Sequence, residues 1–320
     1  MQLKKIIKCG KKYIVDEAYR FNVNSHLGFY NNTSDKNYIE KEFYYKVGKV
    51  LDLENPQTFN EKLQWLKLYD RKPEYTKMVD KYQVKKYVAE KIGEEYIIPT
   101  LGIWNRAEDI EWEKLPDKFV LKATHDSGGL VICRDKNTLD KKATIDKLNK
   151  SLKTDYYLLH REWPYKDVPR KIIAEKFMTD KENDDLKDYK FYCFNGEPQF
   201  LYLSEGMENH ATAKISFVNL DWTFADFGRT DYSPFLELPP KPLNLEKMIE
   251  ISRKLSDGIK FLRVDLYEIN EKIYFGELTF CPCAGMMSFL PASADLEVGK
   301  KLQIIEECCC DIPVRKEMRE

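Results

Sequence analysis

FLRVDLYEINEKIYFGELTF, residues 261–280, is the stretch whose reading decides the fold. Two apolar runs, FLRVDLYEI (261–269) and KIYFGELTF (272–280), flank Asn270-Glu271, which is the pattern of an antiparallel hairpin. Strand residues alternate between faces, so Arg263 and Asp265 point to the same side. Asp265 lies in one strand and Glu277 in the next, facing across a short turn. Both carboxylates sit inside apolar runs, where an unpaired charge is expensive. Two carboxylates on adjacent strands can share Mg2+, a hard cation that prefers oxygen and also takes nucleotide phosphates. The same residues equally allow a cross-strand salt bridge with Arg263 and no metal.

Upstream of this hairpin the chain alternates strands with helices. A helix is expected over 245–255, and KISFVNLD (214–221) reads as a strand. YKFYCF (189–194) and EPQFLYL (197–203) form a second hairpin around Asn195-Gly196. KIIAEKFM (171–178) is a strand that leaves into the acidic loop TDKENDD. FVLKA (119–123), THDSGG (124–129) and LVIC (130–133) make a strand, a glycine-bearing loop and a strand, with a helix following to about Leu152. That order is not the strand–loop–helix of a P-loop. IIPTLGIW, from Ile97, is extended. Before it, a single helix is expected over 79–92, stopped by Gly93. Thr58 and Glu61 form a capping box before another helix. Hairpins alternating with helices argue for an α+β fold with antiparallel sheets. The expected division is a helical region at 1–96, a lysine-strand subdomain at 97–178 and a carboxylate subdomain at 179–320.

Composition excludes several function classes. Of 320 residues, 43% are hydrophobic and 13% aromatic, which is globular and leaves room for two or three subdomains. With 52 basic and 53 acidic residues the net charge is −1, which argues against nucleic-acid binding. The eight cysteines include no CxxC pair and the four histidines are scattered, so zinc-finger spacing is absent and reduced thiols are expected. The start, MQLKKIIKCGKKYIV, is basic but lacks the apolar run of a signal or a membrane span. A cytoplasmic location with at most peripheral membrane contact is expected.

Further residues have chemical potential. Lys122 lies inside a β-strand, where lysine needs an anionic partner, and Gly128 and Gly129 follow it in a loop that permits close backbone approach. Lysine with backbone N–H groups is a means of holding phosphate, and His125 in the same loop can donate as well. Glu175, Lys176, Phe177 and Met178, at a strand end, can meet the edge and faces of adenine. Asp188 and Lys190 share a strand face and either hold ribose and phosphate or form a solvated edge. His160 and His210 have no partner at metal spacing.

Taken in order, these pieces resemble the ATP-grasp fold, and more closely the TupA-like ATP-grasp family of teichuronopeptide and other surface-polysaccharide biosynthesis. The matching stretches are NPQTFNEKLQWLKLYD (55–70), DKYQVKKYV (80–88), FVLKATHDSGGLVICRDK (119–136), IIAEKFM (172–178), DYKFYCFNGEP (188–198) and the 261–280 hairpin. The resemblance implies two α+β subdomains clamping ATP, with Mg2+ on Asp265 and Glu277. It implies Lys122 on the phosphates beneath the closing loop 124–129, which includes His125, Ser127, Gly128 and Gly129. It puts Glu175 and the backbone of Lys176 to Met178 at adenine, Asp188 near ribose, and Arg263 on an acyl phosphate. Lys81 and Lys190 become further phosphate contacts. Thr279 stands where the superfamily usually has asparagine, so it is the third candidate metal residue. The implied activity joins a carboxylate to an amine through an acyl phosphate. A glycosyltransferase, with Asp184-Asp185 in place of a DxD motif, a kinase, and a non-catalytic ATP-binding scaffold are the alternatives.

Overall fold

The computed structural model describes residues 10–180, 186–207 and 211–304. Asp184-Asp185, His210 and the tract at 308–310 fall outside the described residues, as do the first nine residues of the basic start.

The strands in chain order are β1 (Thr100–Trp104), β2 (Phe119–Ala123), β3 (Leu130–Cys133), β4 (Ile172–Lys176), β5 (Asp188–Phe194), β6 (Glu197–Glu205), β7 (Lys214–Asn219), β8 (Gly228–Arg229), β9 (Phe261–Ile269), β10 (Lys272–Thr279) and β11 (Phe289–Leu290). They form a four-stranded sheet in the order β1-β4-β2-β3, a five-stranded sheet in the order β10-β9-β5-β6-β7, and the small β11-β8 pair, all antiparallel. In the four-stranded sheet Phe119, Leu121, Cys133, Ile172 and Ala174 are buried with Leu148 of helix Lys141–Lys153. Strand alternation leaves Val120 and Lys122 on the opposite face.

The five-stranded sheet is covered by helices on both sides. Helix Leu245–Ser256 packs Met248, Ile251 and Leu255 against Phe191, Leu201 and Val264. Helix Phe59–Tyr69 places Phe59 and Leu63 against Tyr192, Phe194 and Phe261. Helix Pro73–Val79 contacts β10 of this sheet, while helix Asp35–Val47 packs on helix Phe59–Tyr69. The Thr58–Glu61 capping box is formed as read from sequence.

Both hairpin turns are built from two residues of positive φ: Asn195 and Gly196 at 50° and 85°, Asn270 and Glu271 at 50° and 63°. That twist matches the flanking strands. The helix expected over 79–92 is instead two helices, Pro73–Val79 and Gln83–Ile92. Asp80 causes the break: its Oδ1 accepts from the backbone N–H of Tyr82 and Gln83 at 2.9 and 3.2 Å, and its Oδ2 from the Gln83 amide at 2.7 Å. This local bonding competes with a continuous helix and places Lys81 on a loop. Gly93, with φ 118°, ends the second helix as expected.

Candidate active site

The exposed face of β2, β3 and β4 looks across a cavity of about 460 Å3 onto one face of β5, β9 and β10. Val120, Leu130, Ile132 and Ile98 supply apolar wall from one side, and Phe177, Met178 and Met207 continue it. Lys81, Lys85, Lys122 and Lys190 bring cations to the same space, and Asp188, Asp265 and Glu277 bring carboxylates. Residues more than 150 positions apart in sequence thus converge, as the motif order implied.

Lys122 is held by Glu175, with its Nζ 2.7 Å from Oε2, while Lys85 Nζ lies 2.5 Å from Oε1. Burial pushes the Glu175 carboxyl up, but Lys122 and Lys85 outweigh it and hold it below its ordinary range. Glu175, expected at the adenine edge, has both oxygens engaged by lysines. The Lys176 N–H is likewise taken by the Pro99 carbonyl at 3.0 Å, and Lys176, Phe177 and Met178 all line the cavity.

Loop 124–129 is pinned at its centre rather than loose. Asp126 Oδ1 accepts from the Gly129 N–H at 3.0 Å, and its Oδ2 accepts from Ser151 Oγ. Lys81 donates to the Asp126 carbonyl, and its backbone N–H to the Thr124 carbonyl at 3.2 Å. Burial lowers the Lys81 ammonium from its ordinary value, with Glu277 and Asp126 opposing the shift. Ser127 and Gly129 line the cavity, but Gly128 and His125 do not. His125, expected as a phosphate donor, is 2% exposed, and its Nε2 lies 3.2 Å from the carbonyls of Ser151 and Thr154. It is a packing histidine, because the carbonyls at the end of helix Lys141–Lys153 need a donor.

The third wall carries the charges. Lys190 Nζ lies 3.1 Å from Asp188 and 3.0 Å from Asp265. Its strand is the middle of five, so these residues do not form a solvated edge. Arg263 grips Asp265 through Nε and Nη2, both at 2.7 Å, and reaches Glu277 Oε1 at 2.7 Å. The cross-strand salt bridge is therefore present. Glu277 Oε2 has no bonding partner among the described residues, and the Glu277 side chain stays 47% exposed. The protein around Glu277 pushes its carboxyl up, but Arg263, Lys190, Lys81 and Lys122 hold it at about 2. For Asp265, 1% exposed, burial prevails over Arg263 and Lys190 and raises the carboxyl. Thr279 Oγ1 donates to Glu277 Oε1 at 3.3 Å and, like Arg263, lies just outside the cavity lining. Among the described residues no three His, Cys, Asp or Glu side chains form a metal cage.

Two functional-looking residues escaped the sequence reading. Lys85 follows Lys81 by four positions, a helical neighbour spacing that was available as a signal. Tyr267 shares the parity of Arg263 and Asp265 and lines the cavity beside Asp188, whose charge raises its phenol.

Two antiparallel sheets clasping a cleft of lysines and carboxylates define an ATP-grasp fold. The TupA-like ATP-grasp family model matches residues 61–303, and the chain belongs to that family. Similar solved structures include the D-alanine–D-alanine ligase of Bacillus anthracis complexed with ATP, at 20% identity and TM-score 0.39, covering 69% of this chain and 61% of that one. The D-alanine–D-alanine ligase of Helicobacter pylori gives 17% identity and TM-score 0.42, with 77% and 69% covered. An Aspergillus clavatus N5-carboxyaminoimidazole synthase complexed with ADP gives 14% identity and TM-score 0.37, with 65% and 45% covered. This chain thus spans less than two thirds of the length of the first and third. No curated protein sequence matches it.

Proposed function

We propose that this chain is an Mg-ATP-dependent, ADP-forming carboxylate–amine ligase that works through an acyl phosphate. The observation that carries the reading is the meeting of Lys81, Lys122 and Lys190 with Asp265 and Glu277 at one cavity with an apolar wall. A triphosphate needs the cations, adenine needs the wall, and a hard metal ion needs the oxygens.

The donor set fits Mg2+. Two carboxylates without a full cage suit an ion that keeps its waters and shares nucleotide phosphates. Asp265 and Glu277 would hold it, with the Thr279 hydroxyl beside Glu277. When bound it neutralises phosphate charge as the acyl phosphate forms and breaks.

The protein's own groups do the rest. Lys122, Lys81 and Lys190 bind phosphate oxygens, and Asp188 is placed for ribose. Phe177 and Met178 close the adenine end. Arg263, at the inner end of the carboxylate pair, meets the acyl phosphate and disperses its charge. The pinned loop 124–129 covers the phosphates and keeps water from hydrolysing the intermediate. Family membership further suggests that the acid belongs to a cell-surface or capsular polysaccharide precursor, handled in the cytoplasm. Among the described residues no helix is long and apolar enough to cross a membrane.

The test is a screen of uronic acids with amino acids for ADP release, with hydroxylamine present to trap the acyl phosphate as a hydroxamate. Acid-dependent hydroxamate is the expected result. A stable phosphorylated product without hydroxamate would identify a kinase instead, and ATP binding without turnover a scaffold.

A further inference from the structure

Glu175 is a buried carboxylate shared by two lysines that hold it unequally. It is 5% exposed and lies on β4, opposite Thr100 of β1 and Val120 of β2. One of its oxygens meets Lys85 Nζ at 2.5 Å and the other meets Lys122 Nζ at 2.7 Å. All three residues line the cavity between the sheets.

An ammonium group carries three N–H donors. Lys85 uses all of them: besides Glu175, it donates to the Ile98 carbonyl at 2.7 Å and to Thr100 Oγ1 at 2.9 Å. It thereby ties helix Gln83–Ile92 to the start of β1. Lys122, by contrast, has Glu175 as its one bonding partner among the described residues. Its side chain is 27% exposed against 13% for Lys85, so it is the lysine more open to the cavity. Two of its donors remain for an incoming group.

A triphosphate entering the cavity draws on those donors, and Glu175 opposes the pull. If Lys122 were the only cation at Glu175, its departure would leave a buried carboxylate with no counter-charge, which is strongly unfavourable. Lys85 removes that obstacle. It is itself held in place, because moving to a phosphate would abandon Glu175, the Ile98 carbonyl and the Thr100 hydroxyl together. Two ammonium groups on one carboxylate also repel each other, which favours release of the less tethered one.

We propose that Lys85 is a positioning residue of the nucleotide site: it is the fixed counter-ion of Glu175, and so allows Lys122 to leave that carboxylate for a phosphate. This rests on the ATP reading above. No covalent bond changes. The Lys122–Glu175 pair is exchanged for a Lys122–phosphate pair while the Lys85–Glu175 pair persists. Lys85 acts on the nucleotide through Glu175 and Lys122, without touching it.

The experiment is calorimetric titration of the full chain with ATP and Mg2+, comparing wild type with K85M, E175Q and K85M/E175Q. In K85M, Glu175 has Lys122 alone, and ATP affinity should fall by about tenfold or more. In E175Q no carboxylate competes for Lys122, so adding K85M should change affinity by no more than about threefold. Adenosine, which has no phosphate, should bind K85M within about threefold of wild type, measured by displacement of a fluorescent nucleotide. The inference is overturned if K85M keeps ATP affinity within about threefold of wild type. It is equally overturned if K85M costs as much in the E175Q chain as in wild type, which would show that Lys85 contacts the nucleotide itself. A fall in adenosine binding equal to the fall in ATP binding would also overturn it, since Lys85 would then only shape the base end of the cavity. If K85M alone does not fold, K85M/E175Q against E175Q carries the test, because that pair of changes removes both charges: equal affinities support the inference and an affinity about tenfold weaker in the double variant refutes it. Failure of the wild type to bind ATP would refute the nucleotide reading itself, and is seen before any variant is made.

Discussion

Asp265 and Glu277 face each other across β9 and β10 and share the proposed metal site, yet only Asp265 also anchors the buried cations around it. Asp265 is 1% exposed and accepts from Arg263 twice and from Lys190. D265N should leave those cations short of a counter-charge and cost about 3–5 kcal/mol, read by denaturant unfolding. Glu277 keeps one oxygen free toward the cavity. E277Q should lower ADP release by about 100-fold or more while the melting temperature changes little. Glu162, 4% exposed and pushed up by burial, gives a pH test of stability. Its folded carboxyl is raised to about 7 above its ordinary 4.5, so its stabilising share is full below the ordinary value and is lost as pH rises through about 7. E162Q should therefore match wild type near pH 4 and exceed it above pH 8, by on the order of 3 kcal/mol. Equal melting curves at both pH values would contradict this. Arg263, Asp265 and Lys122 were legible because strand parity and an isolated strand lysine are local signals. Glu162 was not, since nothing in HREWPYKD marks which side chain the fold will bury.

The last hairpin shows how an element makes a site. Its two-residue turn pairs Lys272 with Ile269 and Phe275 with Leu266, a register that would set Glu277 opposite Val264 and on the wrong face. A bulge between Phe275 and Glu277 shifts the pairing by one, so that Glu277 lies opposite Asp265. Gly276 makes this possible: a Cβ there would meet the Tyr267 ring at 2.9 Å and the Asp265 carbonyl at 3.1 Å. G276A should lower both the melting temperature and turnover, with a stability loss of about 1–3 kcal/mol. Retention of both would show that the close approach is not needed. The facing carboxylates were read correctly from the sequence, but the bulge that makes them face was not. It depends on a close packing contact that turn length and apolar alternation do not report. The helix break at Asp80 escaped for a related reason, because an Asp within an apolar-periodic stretch looks like any solvated helical residue until its side chain captures Tyr82 and Gln83.

At the scale of the molecule, function lies between two sheets that the sequence describes separately. Hairpins, turn residues and the order of charged residues showed an α+β clamp. The packing of helices Phe59–Tyr69 and Pro73–Val79 onto the five-stranded sheet was hidden, because an amphipathic helix does not state which sheet it will cover. His125 illustrates the same limit: its loop borders the cavity through Ser127 and Gly129, but the buried helix end behind it claims the imidazole. The central claim is that a triphosphate is held between the lysine strand and the carboxylate hairpin. Calorimetric titration with ATP, with and without Mg2+, in wild type, K122A and E277Q tests it most directly. The account predicts one ATP per chain, Mg2+-strengthened binding in wild type, affinity at least about tenfold weaker in K122A, and loss of the Mg2+ effect in E277Q. Unchanged ATP affinity in K122A together with an unchanged Mg2+ effect in E277Q would contradict it.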